Sequence, residues 1–416
     1  MTSIIKYFKA FPLILITFLQ FNSYSQNDYL IKKYSQLVFR ESPYATYKGA
    51  ISLSMEKAKT MRHYAFKYDT NNQLIEIQHK LGDLPYTAYG MEQNLMFPCS
   101  KVKFEKLANE IHVSFFDHNN LRIEVNGGIY TAKYKLQDDA SPKTLTFYDK
   151  QGKIKENNHG ISNYEWLTND SVVIEKRYNL EKELMPLRPN FLFFETHLTY
   201  DKSGYVKRMD NYGKNGVLEN NESGVATDEI FYNEDGIFVG WKVYDSNGNK
   251  VTGNLPNVHH GKNIVDGYGN TIIDEYFNTE GKQMMNYQGL AKTINSFDAF
   301  SNVIEQKRFT IDGWNQSAPI FKLLYDQSQR LKEIGAFDIK GKRTTFPQQE
   351  VAFFRMQYYN ESGYLKEQAF YDKNEQLLNI AALGGGARVI HNYKGAKRIR
   401  SKIYDAKGVL LQTVER

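Results

Sequence analysis

The fold is decided by the stretch FYNEDGIF at residues 231–238, which is followed by a similar stretch, VYDSNG, at residues 243–248. Each stretch joins an apolar run, which ends in a tyrosine, to a cluster of Asn, Asp, Ser and Gly. Such clusters after short aromatic or β-branched runs indicate a strand followed by a turn. The two tyrosines, Tyr232 and Tyr244, lie 12 residues apart. This pairing predicts a hairpin.

The same pair of aromatic markers recurs along the chain from residue 68. First markers follow one another at intervals of 28 to 36 residues, and a second marker lies 12 residues after the first in eight of eleven units. A period in this range is typical of repeat proteins, in which each unit packs on its neighbours. The first markers are Tyr68, Phe104, Tyr134, Trp166, Tyr200, Tyr232, Val265, Phe297, Tyr325, Tyr359 and Tyr393. The second markers are Phe116, Tyr178, Tyr212, Tyr244, Phe277, Phe309, Phe337 and Tyr371, with Tyr404 lying 11 residues after Tyr393.

Turn chemistry explains why Asp, Asn and Gly follow the markers. An Asp such as Asp201 opens a turn by accepting hydrogen bonds from the backbone N–H groups that follow it. Gly204 suits the left-handed position that closes the turn, and Gly408 repeats this pattern. We expect Asn72 and Asn374 to take the left-handed position in two units that lack the glycine.

These patterns predict an all-β fold, an extended antiparallel sheet of about eleven strand-turn-strand repeats of roughly 33 residues without crossover helices. Gly224, Gly289 and Gly386 lie before later markers and predict a third short strand in each unit. Ahead of the repeats, the spacing of apolar residues over 27–38 predicts a short helix.

The chain divides into a signal peptide (1–25), an N-terminal capping segment (26–67), degenerate β-repeats (68–165) and regular repeats (166–416). Lys6 and Lys9 precede a short apolar run and a small-residue site, which indicates cleavage near Gln26. We therefore expect an exported protein, periplasmic, on the cell surface or extracellular. We expect no stable membrane span after cleavage, because no later stretch is long and apolar enough to form one.

The net charge and the cysteine count limit which partners and which covalent links we expect. The formal net charge is +6, and cleavage at Gln26 would leave +4 on a surface of mixed sign. Such a surface favours solubility over a nucleic-acid footprint, so we expect no nucleic-acid partner. Cys99 is the only cysteine, which excludes an internal disulfide. We expect it to be a small buried hydrophobe rather than a nucleophile.

Two groups of residues raise the question of a metal site. Asp side chains recur at the first position of turns and could bind calcium, but local hydrogen bonding in the turn is the favoured interpretation. These are Asp149, Asp201, Asp245, Asp266, Asp326, Asp338, Asp372 and Asp405. The pair His259 and His260 lacks further ligands at zinc spacing, so we favour a loop there. We therefore assign no metal-ligating and no cofactor-binding residue.

Catalytic motifs are missing from the sequence. Gly384-Gly385-Gly386 lacks the Lys-Ser/Thr of a phosphate-binding loop, and no Gly-x-Ser-x-Gly elbow occurs. The basic run 394–402 favours a solvated strand face over an anionic partner. The recurring aromatics could face a core or form an outward strip for sugars or peptides, and the sequence leaves both open.

The unit YNEDG at 232–236 with YDSNGN at 244–249 resembles the YD repeats of RHS-like bacterial surface and secreted proteins. A weaker similarity links the chain to MORN-type variant repeats. The likeness covers 166–416 well and 68–150 loosely. It implies a non-enzymatic, envelope-associated or secreted β-repeat protein. RHS-like proteins often enclose a C-terminal toxin domain, which we do not expect here because the repeat runs to Leu410.

We therefore predict a non-catalytic scaffold that binds an unknown protein or polysaccharide of the cell envelope. A carbohydrate- or cell-wall-binding module is one alternative. Another is a hydrolase with its site in the degenerate N-terminal region, where Glu92, His112, Asp117 and His118 are available without a compelling spacing. We assign no catalytic residue.

Overall fold

The computed structural model describes residues 29–86, 97–169, 171–188, 191–213, 215–314, 319–347 and 349–416, and these form one open antiparallel sheet. The predicted cleavage site near Gln26 lies outside the described residues. The strands of the first part are β1 (Leu30–Leu37), β2 (Gly49–Ser52), β3 (Arg62–Tyr68), β4 (Leu74–Leu81), β5 (Leu84–Pro85), β6 (Lys101–Leu107), β7 (Glu110–Phe116), β8 (Thr131–Leu136), β9 (Pro142–Tyr148), β10 (Asn163–Asn169), β11 (Val172–Tyr178), β12 (Glu195–Tyr200), β13 (Val206–Tyr212), β14 (Thr227–Tyr232) and β15 (Phe238–Tyr244).

The second part continues with β16 (His260–Val265), β17 (Thr271–Phe277), β18 (Lys292–Phe297), β19 (Val303–Thr310), β20 (Gly313–Trp314), β21 (Ile320–Tyr325), β22 (Leu331–Phe337), β23 (Phe353–Tyr358), β24 (Leu365–Tyr371), β25 (Arg388–Lys394), β26 (Lys397–Tyr404) and β27 (Leu410–Glu415). The helical elements among the described residues are the one-turn helix α1 (Met55–Ala58) and the 3₁₀ turn Ala381–Leu383. The all-β prediction is confirmed.

Eleven long hairpins within the described residues correspond to the eleven predicted units, from β3–β4 to β25–β26. Each hairpin also pairs with the next, as β13 does with β14. The 12-residue spacing follows because the turn 201–205 separates Tyr200 from the seven-residue strand β13, which ends at Tyr212. A bulge at Tyr200 accommodates the turn.

The predicted turn chemistry is confirmed in detail. Oδ1 of Asp201 accepts the backbone N–H groups of Ser203 at 2.8 Å and Tyr205 at 2.9 Å. Gly204 has φ +73° and Asn72 has φ +58°, both in the left-handed region. The other seven predicted turn Asp side chains accept the same two backbone bonds.

Several positions of the predicted repeat are wrong. The bulge of the β8–β9 hairpin lies at Leu136 rather than at the marker Tyr134. In the Asp372 turn, Glu375 and not Asn374 takes the left-handed position, with φ +64°, because the turn closes three residues after the Asp whatever residue stands there. The bulge of the β23–β24 hairpin lies at Tyr358 rather than at the marker Tyr359. Its turn is one residue longer, with the Gly363 N–H bonded to the Tyr359 carbonyl at 2.8 Å.

The third short strand is present as β5, β20 and β27, whereas in other units it is reduced to a single bridge. Residues Tyr212 and Leu218 form one such isolated pair, and Tyr244 and Lys250 another. The turns predicted at Gly224 and Gly289 are present, since both glycines have positive φ. The third segment therefore serves as a connection that returns the chain to the start of the next hairpin.

The helix predicted over 27–38 is wrong, because residues 30–37 form strand β1. In this strand Lys33, Ser35 and Leu37 are buried in alternation. Pairing on both sides, with β2 and with β3, outweighs the helical spacing of the apolar residues. The segment thus begins the sheet.

The sheet coils into a spiral. Hydrogen bonds join residues that are 234 to 247 positions apart, including Gln36 to Asn270 at 3.4 Å and the ring of His118 to the Ser362 carbonyl at 2.7 Å. Strands β1–β15 make a first coil, and β16–β27 make a second coil stacked on one of its rims. The first coil closes on itself through side chains, since Ile237 packs on Val38 and Ala50.

The two markers face opposite sides of the sheet. In β12 and β13 the buried residues Leu198 and Met209 define the inner face, which also carries Tyr200, whereas Tyr212 alternates onto the outer face. Second markers lie beneath cationic or imidazole groups of the neighbouring strand. Examples are Lys101 over Phe116 at 5.3 Å, Arg355 over Tyr371 at 5.2 Å, and His197 stacked on Tyr212 at 3.7 Å.

Candidate functional site

An interior loop, residues 38–48, fills the first coil. Its ends meet at the base of β1 and β2, where the Val38 N–H donates to the Lys48 carbonyl at 2.9 Å. Its aromatic side chains reach the inner face of the sheet at three separate places. The ring centroids are 4.8 Å apart for Phe39 and Phe238, 5.7 Å for Tyr44 and Trp166, and 5.6 Å for Tyr47 and Phe104. The loop therefore packs against the core that the inner face of the sheet forms.

A buried ionic cluster holds the loop to strand β11. Glu175 and Arg177 are both fully buried, and Arg177 Nη1 donates to Glu175 Oε1 at 2.6 Å. The other carboxylate oxygen accepts Trp166 Nε1 at 2.8 Å and the hydroxyl of Ser42. Arg177 Nη2 donates to the Phe193 carbonyl at 2.6 Å. Both charges are thus paired and hydrogen-bonded, which a buried ion pair requires.

Other charges of the loop lie nearby. The Arg40 guanidinium stacks 3.7 Å from the ring centroid of Tyr47, and Glu41 pairs with Arg188. Burial raises the pKa of Glu41, although the Arg188 charge opposes it. Burial also raises the pKa of Asp228 well above its usual range. The small cavity that Glu41 lines has a volume of about 10 Å³, enough for one water molecule.

A larger cleft of about 950 Å³ lies between the interior loop and one rim of the first coil, the rim formed by the β3–β4 and β6–β7 turns. Tyr44, Tyr47, Tyr68, Phe104 and Tyr134 line its walls, with polar side chains of the β3–β4 and β6–β7 turns at its mouth. Tyr134 is held by a hydrogen bond from its hydroxyl to the Pro43 carbonyl at 3.2 Å. Burial raises the pKa of Tyr68 to about 12, and like other tyrosines it is uncharged at neutral pH. The cleft can therefore offer aromatic surfaces and uncharged donors to a ligand.

The candidate hydrolase residues do not converge. His112 contacts Glu110 at 2.9 Å on the outer face of β7. Asp117 caps a turn and accepts the hydroxyl of Tyr364, and His118 contacts the Ser362 carbonyl. Asp117 and His118 therefore hold the second coil on the first. Glu92 lies outside the described residues.

The remaining sequence candidates have structural partners. Nδ1 of His259 contacts the Val243 carbonyl at 2.9 Å, and the ring of His260 packs on Phe277. Among the described residues, no group of three or more His, Cys, Asp or Glu side chains is arranged to hold a metal ion. Cys99 is buried as expected, and burial raises the pKa of its thiol to about 12. In the basic run, Arg400 pairs with Glu415 at 2.6 Å on an exposed face.

The predicted capping segment, residues 26–67, enters the first coil, which was not predicted. The available signal was the density of aromatic residues in FRESPYATYKG at 39–49, a stretch outside the repeat period. Residues that belong to no unit yet carry large apolar side chains need a surface to bury them. The curvature that provides this surface depends on long-range packing.

No family model and no curated protein matches the chain. Among solved structures it is similar to two crystal structures of TcdB2-TccC3, one of which also contains Cdc42. Both alignments have 11% identity and a TM-score of 0.21, and cover 85% of this chain and 26% or 27% of the other. The chain is also similar to a crystal structure of the eukaryotic initiation factor, with 12% identity, a TM-score of 0.12, and coverage of 91% of this chain and 87% of the other.

The chain thus spans about a quarter of the length of the TcdB2-TccC3 chains. TM-scores this low establish no shared fold, so the similarity to YD-repeat proteins rests on the sequence motifs. The chain's own hairpin array makes it a β-sheet repeat protein. Within the described residues, no helix has the length and apolar character needed to cross a membrane.

Proposed function

We propose that this chain is an exported, non-catalytic β-repeat scaffold. It binds an extended peptide segment of another protein at the cell envelope. One observation carries the proposal. The inner face of the first coil is covered by the interior loop, whereas the described part of the chain places no equivalent loop over strands β17–β19 of the second coil.

Equivalent positions of the two coils differ in burial. Met209 and Asn211, which precede the marker Tyr212, are buried in the first coil. Asp274 and Tyr276, in the same positions before Phe277, are only half-buried. A residue type that is normally solvated, Asp, thus stands where the first coil has Met. This difference is expected if the face of the second coil receives a partner.

The half-buried inner face of the second coil offers hydrogen-bonding groups in a row. Gln306 Nε2 donates to Asn295 Oδ1 at 3.1 Å, and Arg308 Nε donates to Gln306 Oε1 at 3.0 Å. The Arg308 guanidinium lies 4.3 Å from the ring centroid of Phe321. Burial raises the pKa of Asp274 to about 6. Amide, guanidinium and carboxyl groups beside an aromatic ring suit the backbone and side chains of a peptide.

Site-specific photo-cross-linking tests this proposal. A photoreactive phenylalanine analogue at Gln306 should give a discrete adduct with an envelope component in producing cells. The matched control is the same analogue at Lys307, the next residue of β19, which faces the opposite side. Arg308→Ala should weaken the Gln306 adduct. Equal adducts at Gln306 and Lys307, or none at Gln306, would contradict the proposal.

Export is tested separately by N-terminal sequencing of the protein recovered outside the cytoplasm. We expect Gln26 or a close neighbour as the first residue, because Lys6, Lys9 and the apolar run that follows have the pattern of a signal peptide. Lys6→Glu with Lys9→Glu should reduce the exported fraction. Recovery of a chain that begins at Met1 or Thr2 would contradict the prediction.

A further inference from the structure

We propose that the cleft between the interior loop and the rim of the first coil is a binding site for a neutral oligosaccharide. This site is separate from the inner face of the second coil and goes beyond the scaffold function. The proposal depends on the size of the cleft, the aromatic side chains in its walls, the amides at its mouth and the pairing of the surrounding strands.

The size of the cleft suits a ligand of several rings. Its volume of about 950 Å³ lies near the upper end of the range of roughly 300–1,000 Å³ for ligand sites. It is also far larger than the water-sized space beside Glu41. One wall is the interior loop and the other is the sheet, so an elongated ligand would contact both.

The walls carry rings that can pack on the C–H faces of sugars. Tyr47 of the loop and Phe104 of the sheet contact each other with centroids 5.6 Å apart, so the two walls meet there and the exposed parts of both rings face the cleft. Tyr134 stacks on Trp166 behind the cleft at 6.3 Å. The ring of Tyr47 is fixed from one side by the guanidinium of Arg40. Rings that are held in place lose little conformational entropy when a ligand binds.

The mouth of the cleft supplies hydrogen-bonding groups that are not engaged. Asn71, Asn72 and Gln73 are exposed in the β3–β4 turn, and within the described chain their side-chain amides have no hydrogen-bond partner. The turn itself is held by backbone bonds to Asp69 and does not depend on these amides. An amide both donates and accepts, which matches sugar hydroxyl groups.

Charge and strand pairing argue against other ligands. Arg40 and Lys106 are balanced by Asp69 and Glu105 in the lining, so no field of one sign would attract an anionic polymer. The strands around the cleft, β3, β4 and β6–β9, each have partners on both sides. A peptide therefore finds no free strand edge to extend.

The test uses a glycan array of neutral and sulfated oligosaccharides, followed by calorimetric titration of the neutral glycan that binds best. The double variant Asn71→Ala with Gln73→Ala removes two amides from the mouth and should weaken binding at least tenfold. Gln151→Ala is the matched control, because Gln151 holds the position of Asn71 in the Asp149 turn, away from the cleft. It should leave the affinity unchanged.

A second variant tests the walls. Phe104→Leu keeps an apolar side chain but removes the ring, and should also weaken binding while the thermal unfolding midpoint stays close to that of the parent. The proposal is overturned if no neutral glycan binds, if only sulfated glycans bind, or if the Asn71/Gln73 variant binds as well as the Gln151 variant. None of these outcomes alters the cross-linking expected at Gln306, so the two proposals fail independently.

Discussion

At the scale of single residues, one position recurs through the whole chain, the left-handed residue three places after the turn Asp or Asn. Glycine takes it in most units because it alone adopts positive φ without a Cβ penalty. Lys182, Ser301 and Gln329 also take it, with φ between +61° and +67°. The turn geometry therefore dictates the backbone, and the residue type only sets the energetic cost.

Two glycines with the same backbone angle allow the energetic cost of a left-handed backbone to be separated from the cost of a steric collision. Gly236 and Gly248 both have φ +81°, but a Cβ at Gly236 would lie 2.6 Å from the Tyr205 hydroxyl, whereas none lies within 4 Å at Gly248. We expect Gly248→Ala to cost about 1–2 kcal/mol from the left-handed backbone alone. Gly236→Ala should cost a further 1 kcal/mol or so, from displaced packing of Tyr205. Urea unfolding measures both, and equal losses would contradict the assigned collision.

A buried imidazole predicts how stability depends on pH. His391 is buried, and its Nδ1 contacts the Ser401 hydroxyl at 2.9 Å. Burial, reinforced by the charges of Arg398 and Arg416, lowers the pKa of His391 to about 4. Between about pH 4 and the ordinary pKa of about 6.5, His391 therefore binds a proton more readily in the unfolded chain than in the folded chain.

The stabilising contribution of His391 is thus full above about pH 6.5 and is lost as the pH falls toward 4. We expect the free energy of unfolding to fall between pH 7.5 and pH 5, and to fall less in His391→Asn, which keeps an amide near the Ser401 hydroxyl. Chemical unfolding of both proteins at the two pH values measures the difference. The same pH dependence in the variant would show that His391 is not the group responsible.

At the scale of elements, the hairpins could be predicted from the sequence because their determinants are local. Asp201, Gly204 and the marker Tyr200 lie within five residues of one another, and the turn that they form fixes the register of the two strands. The strand β1 could not be predicted in this way. Its burial depends on pairing with β3, in which the paired residues lie 30 to 38 positions away in the sequence.

The interior loop shows a second limit. The lack of repeat markers in residues 26–67 predicts a cap, but the contact of Ser42 with Glu175 joins residues 133 positions apart. It exists only because the sheet curves through several units. The candidate cleft has the same origin, since one wall is the loop and the other is the sheet. Neither could be predicted from turn chemistry, which specifies hairpins and not their curvature.

The ionic anchor of the interior loop gives an element-scale prediction. Glu175→Ala leaves Arg177 charged and without its carboxylate partner in a fully buried place, which should cost about 3–5 kcal/mol. Ser42→Ala removes one hydrogen bond to the same carboxylate and should cost about 1–2 kcal/mol. Because both act through one group, the double variant should cost less than the two single losses together.

Hydrogen exchange locates the effect. Amide exchange in residues 38–48 should accelerate in Ser42→Ala, while exchange in β23–β26 stays as in the parent. Glu165→Ala, on the exposed face of β10, is the control and should change stability by less than about 0.5 kcal/mol. Additive losses in the double variant would mean that Ser42 and Glu175 do not act together.

At the scale of the whole molecule, the chain combines two kinds of contact. Neighbouring hairpins pair along the sheet, as in any repeat array. The coils also meet across long stretches of sequence, for example through the Tyr364 hydroxyl on Asp117 and the Tyr86 hydroxyl on the Gln329 carbonyl at 3.3 Å. The free energy of unfolding should therefore include a contribution from each pair of neighbouring units and a smaller contribution from the contacts between the two coils.

Truncation at unit boundaries separates these two contributions. Removing residues 387–416 deletes β25–β27 and takes one neighbour from β24, but it retains the contact between Tyr364 and Asp117. We expect the remaining chain to stay folded, with the denaturant m-value reduced in proportion to the deleted surface.

Removing residues 351–416 also deletes Tyr364 and should lower the unfolding midpoint of the first coil. In the full-length chain, Tyr364→Phe should reproduce part of that loss, about 1 kcal/mol, because it removes only the hydrogen bond. Far-UV circular dichroism in urea follows each series. Collapse of the whole fold on removal of 387–416 would show that the units are not independent, and an unchanged first coil after removal of 351–416 would show that the coils merely touch.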